Sequence, residues 1–145
     1  MIDTRLSQGA WACFFEESLA EDVASVPRLE GRIQQAVFLL SPDVLNLTLA
    51  MGIWNAVNEE QGTLFDRAEE ESLPPATGAA VGRQLRSLAQ EQYGGSGPVS
   101  ARIGEHDGRP WIITLDAEYV RTVLLDLGFF LEHAASRGWT IVASL

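Results

Sequence analysis

The chain has 145 residues, the size of one ordinary domain. Apolar residues make up 46% and charged residues 21%, which excludes wholesale disorder. Twenty acids against ten bases leave a net charge of −10, and every base is Arg. The absence of Lys excludes Schiff-base chemistry on lysine, lysine-anchored pyridoxal phosphate and a lysine-bearing phosphate loop.

Like charge disfavours direct nucleic-acid binding and anionic membranes, and favours a basic protein partner whose opposite field steers the encounter. A single cysteine, Cys13, has no internal disulfide partner, and with two histidines no metal or other cofactor is expected. The greasy run from Ala36 to Val57 contains Pro42, Asp43, Asn46 and Asn55. A central Asp in a spanning helix would cost ~2.5–3.5 kcal/mol. Trp11–Phe15 is too short for a signal-peptide core and Glu16–Glu17 follow directly, so a soluble, cytoplasmic protein is expected. Arg in place of every Lys, with abundant Ala, Gly and Leu, is the composition expected of a GC-rich bacterial gene.

In chain order, Trp11, Phe15, Leu19, Val23 and Val26 make a helical stripe over 8–26, with a short strand at 10–15 as the alternative. Leu29, Ile33, Ala36, Val37 and Leu40 predict a second helix over 28–40. Ser41-Pro42-Asp43 reads as a helix start: a cap, a first-turn proline and an acid at the positive end of the dipole. The helix from Pro42 to about Asn58 is apolar on both sides and is placed centrally. Residues 59–71 turn acidic, with Leu64 and Phe65 as an anchor. Leu73–Gly78 reads as a connector around paired prolines.

Val81, Leu85, Leu88 and Ala89 predict a helix over 79–92 with Arg83 and Arg86 outside. Tyr93–Pro98 reads as a flexible hinge, with its glycines at 94–97. Alternation over 99–103, the Asp107-Gly108 turn and Trp111–Leu115 predict a β-hairpin. Asp116 caps a helix over 117–136, and Trp139–Ala143 reads as a last strand. The expected fold is a single α+β domain over 1–145. Three or four N-terminal helices precede β-β-α-β, and the hairpin and last strand share a three-stranded sheet.

The 117–136 helix carries the candidate site. Val120, Val123, Leu124, Leu127, Leu131 and Ala134 lie within roughly 40° of one line, the core stripe. Leu125 and Phe129 fall on the polar side among Glu118, Asp126 and Glu132. Either the N-terminal helices cover them, or they form an apolar anchor with an acidic rim, the usual make-up of an interface centre. Fully buried, Phe129 contributes about 2–3 kcal/mol in either role. Glu69, Glu70 and Glu71 read as a solvated face or as a docking strip for a basic partner.

Catalytic motifs are weak. The G-x-S-x-G elbow is absent, since Gly94-Gly95-Ser96-Gly97 follows no strand. Cys13 between aromatics reads as a core thiol. The acids at 59–71 lack a calcium-loop pattern. His106 sits at the hairpin tip beside Glu105 and Asp107, and Asp116 with Glu118 could form a carboxylate pair, which capping already explains.

The chain is therefore expected to be a non-enzymatic binding or inhibitor protein. It would occlude a basic partner, a toxin or a nucleic-acid-handling enzyme, through Glu69, Glu70, Glu71, Glu118, Leu125, Asp126, Phe129 and Glu132. In size, acidity and lack of catalytic motif it is similar in general character to immunity proteins of secreted toxins and to phage-encoded inhibitors of host defence. Two other readings are a small acid–base or metal enzyme at His106, and an adaptor that forms a homodimer through Leu125 and Phe129.

Overall fold

The computed structural model describes residues 11–19, 36–66 and 70–145. The chain is α+β, but strands come first. β1 (Ala12–Glu16) runs into a short 3-10 turn, Glu17–Leu19, and pairs antiparallel with β2 (Val37–Leu40). Then follow α1 (Pro42–Ala50), α2 (Ile53–Gln61), β3 (Glu70–Leu73), α3 (Pro75–Tyr93), β4 (Pro98–His106), β5 (Arg109–Asp116), α4 (Ala117–Ser136) and β6 (Ile141–Ser144).

This order overturns the expected helices-first arrangement. Where the stripe predicted a helix over 8–26, residues 12–16 form a strand. Where it predicted a helix over 28–40, residues 37–40 form another. Residues 8–10, 20–26 and 28–35 of those two expected helices lie outside the described residues. The cause is burial on both sides of β1. Ala12 and Phe14 are fully buried in the core, while Cys13 and Phe15 are buried on the opposite face. A doubly buried strand has no alternation, so a short apolar run reads equally well as a helix.

The sheet differs too. β6 does not join the hairpin. It pairs antiparallel with β1 and β3 in a four-stranded sheet of order β2-β1-β6-β3, and β4 and β5 form a sheet of their own. The hairpin turns at Asp107-Gly108 and carries a bulge between Arg102 and Gly104.

Ser41 accepts a hydrogen bond from the Val44 N–H, with Pro42 in the first turn of α1. The single helix expected to run to Asn58 is broken at Gly52, whose φ of +78° only glycine adopts without strain, and α2 starts afresh. Phe14, Trp54 and Phe65 cluster at the centre, with ring centroids 5.1–6.5 Å apart. The Trp54 Nε1–H donates to Thr48 Oγ1 (2.9 Å), and that hydroxyl donates to the Val44 carbonyl (2.7 Å), so this buried chain is satisfied. Asn58 fixes the segment after α2. Its Oδ1 accepts from Thr63 Oγ1 and the Phe65 N–H, and its Nδ2 donates to the Phe65 carbonyl. Phe65 is therefore core, while Leu64 is exposed.

Among the described elements, α3 and α4 pack most extensively on each other. They run antiparallel: Gly82 meets Gly128, and near the other end Arg121 reaches the Tyr93 carbonyl. A Cβ on Gly82 would lie 2.6 Å from the Gly128 carbonyl oxygen, and one on Gly128 would lie 2.7 Å from that of Gly82. Only two glycines allow this approach. At the 94–97 glycines, Arg121 Nη1 donates to the Tyr93 (2.8 Å) and Gly95 (3.0 Å) carbonyls, and Ala117 N–H donates to Gly97. The expected hinge is thus tied to the start of α4.

Candidate functional site

α4 positions the site. Asp116 caps it by accepting from the Glu118 N–H (2.9 Å), and Glu118 complements the positive end of its dipole. Val120, Leu124, Leu127, Leu131 and Ala134 are buried and Val123 is half-buried, so the stripe read from periodicity faces the core. On one flank Gly128 abuts α3. On the other, Phe130 packs against Phe38 of β2, with centroids 5.7 Å apart. The face between those flanks is open.

Phe129 stands on that open face and is 54% exposed. By helical geometry Asp126 lies roughly 60° to one side of it and Glu132 roughly 60° to the other. Leu125, one turn earlier, is half-buried and lines a groove of about 510 Å³ with Arg83, Arg86, Ser87, Gln90 and Glu91 of α3. Glu118 and Asp126 are exposed, and neither makes an ion pair among the described residues.

Glu132 differs from the other two carboxylates. It is half-buried and holds the Arg86 guanidinium at two points, Nε to Oε2 at 2.5 Å and Nη2 to Oε1 at 2.9 Å. The Glu132 hydrogen bond pushes the Arg86 pKa up, so the guanidinium is charged at any working pH. The same guanidinium lies 4.6 Å from the Phe129 ring centroid. Arg86 therefore connects a carboxylate, an aromatic face and the close crossing of the two helices.

Of the residues expected to meet a partner, Glu118, Leu125, Asp126, Phe129 and Glu132 share α4. Glu70 and Glu71 lie elsewhere, on the edge strand β3, and their side chains alternate across the four-stranded sheet. Glu70 is exposed, and Glu71 is half-buried with its Oε2 accepting from the Leu64 N–H. Glu69 lies outside the described residues.

Two residues of the open face escaped the sequence reading. Tyr119 is 49% exposed and lies roughly 80° around α4 from Phe129, on the Asp126 side. The same angular arithmetic that singled out Phe129 finds it. Arg86 is expected from the sequence only to lie on the outside of its helix. Its partner is 46 positions away on another helix, and no local pattern signals that.

At the hairpin tip, His106 Nε2 is 3.5 Å from Asp107 Oδ2, with side chains 68% and 89% exposed. Glu105 pairs with Arg102 at 3.4 Å, and Asp116 is committed to its cap. No group of three or more potential metal ligands gathers among the described residues. Nor is any helix there long and apolar enough to cross a membrane. No family model, curated protein or solved structure matches the chain.

Proposed function

We propose that this is a non-catalytic binding protein, inhibitor-like in character, that occludes a basic partner protein through the open face of α4. The observation that carries the reading is Phe129: a large aromatic side chain more than half exposed on a helix whose other faces are packed. Isolated surface leucines need no explanation, but aromatics are the side chains that anchor interfaces. The half-buried Leu125 extends the apolar surface, Asp126 rims it without an ion pair among the described residues, and Tyr119 and Glu118 stand exposed about 15 Å further along the same helix. Together with a net charge of −10, that rim favours a cationic counterpart. The partner class is a basic toxin or a basic nucleic-acid-handling enzyme whose active surface the face would cover. The catalytic alternative at His106 draws no support from side chains spread into solvent at a hairpin tip.

The test is affinity capture from the native cell with the wild-type chain and with Phe129→Asp, followed by reconstitution with the purified partner. Phe129→Asp retains its thermal midpoint and loses the partner. Equal recovery by both chains overturns the proposal. So does a stable homodimer that hides Phe129, because the face would then belong to a second copy.

A further inference from the structure

The docking reading of α4 supports one further step, which rests on it. Phe129 already accepts one cation, the Arg86 guanidinium over one side of its ring. An aromatic ring presents the same electron-rich quadrupole on both sides, and over half of this residue remains open. Arg86 does not repel a second cation strongly, because Glu132 holds it at two points and the pair is close to neutral. Three positions before Phe129, Asp126 is exposed and unpaired among the described residues. An i,i+3 spacing on a helix leaves neighbouring side chains about 5–6 Å apart at Cβ. One guanidinium can span that gap.

We infer that the open side of Phe129 together with Asp126 is a subsite for an arginine side chain of the partner, stacked on the ring and paired with the carboxylate. Arginine fits better than lysine. Its planar group stacks and forks at once, whereas an ammonium is a compact, strongly hydrated point charge. The intramolecular contact of Arg86 with the same ring shows the geometry in this molecule.

The experiment titrates the isotopically labelled full chain with a blocked tetra-arginine peptide and with its tetra-lysine counterpart. The arginine peptide shifts the Phe129 ring and Asp126 resonances and binds more tightly than the lysine peptide. Phe129→Leu and Asp126→Asn each weaken it about two- to fivefold, while Glu70→Gln leaves it unchanged. Equal binding of both peptides, perturbation centred on Glu70 and Glu71, or indifference to Phe129→Leu overturns the subsite. The same two variants in the capture assay separate this inference from its premise. If Phe129→Leu and Asp126→Asn keep the partner while Phe129→Asp loses it, the subsite fails and the docking surface stands. If all three keep it, both fail.

Discussion

Arg86 joins the candidate site to the fold, and its energetics are those of a half-exposed pair. Its side chain is 35% exposed and that of Glu132 is 23% exposed, so solvent screens the attraction. A double-mutant cycle on Arg86→Ala and Glu132→Ala is expected to give a small favourable coupling that shrinks in high salt. Coupling near zero would mean that Glu132 does not hold the guanidinium in solution. Tyr93 reports a different environment. Its buried hydroxyl donates to Met51 Sδ (3.2 Å), and burial pushes its pKa up to about 12. An unfolded tyrosine ionises near ~10, so the unfolded chain releases the proton first. The contribution is complete below about pH 10 and is lost as pH rises toward ~12, an effect of about 2–3 kcal/mol. Burial raises the Cys13 pKa with the same sign, so the comparison is with Tyr93→Phe, whose stability curve should be flatter over that window by urea titration. At this scale the sequence was legible where the helix supplied the geometry. Leu125 and Phe129 stood out by angle alone, whereas the Arg86 contact depended on how two distant helices cross.

The close crossing of α3 and α4 is what leaves Phe129 at the edge of the helix pair. Gly82→Ala would drive a Cβ to 2.6 Å from the Gly128 carbonyl oxygen. It is expected to cost about 2 kcal/mol or more, by forcing the helices apart. Gly95→Ala, with nothing within 4 Å of its Cβ, should change stability by less than ~0.5 kcal/mol. Equal thermal midpoints for the two variants would refute the crossing. Elements that carry their own signals could be read from the chain. α4 has an acidic cap and a one-sided apolar stripe, and the hairpin has its Asp-Gly turn. β1 was legible only as the alternative to a helix, a short strand at 10–15, and β2 and the pairing of β6 could not be read. Cys13 and Phe15 are buried on one face and Ala12 and Phe14 on the other, which erases the alternation of a strand. β6 chooses β1 and β3 over the nearer hairpin, a long-range pairing that no local pattern announces. The break at Gly52 lay inside a run apolar on both sides, where continuity was the simpler reading.

Across the whole molecule, the proposed function assigns acidity and the open face to different stages of association. On that proposal the net charge of −10 would set the long-range field and hence the encounter rate, while Phe129 would set how long the complex lasts once formed. Removing charge at Glu118 and Asp126 together is expected to slow association several-fold at low salt and to matter little at high salt. Anchoring by Phe129 is tested by the dissociation rate of the captured partner from the wild-type chain and from Phe129→Asp, both folded, at fixed salt. Release is expected to be at least tenfold faster from the variant, about 1.4 kcal/mol of lost anchoring. Unchanged release would place the interface somewhere other than α4.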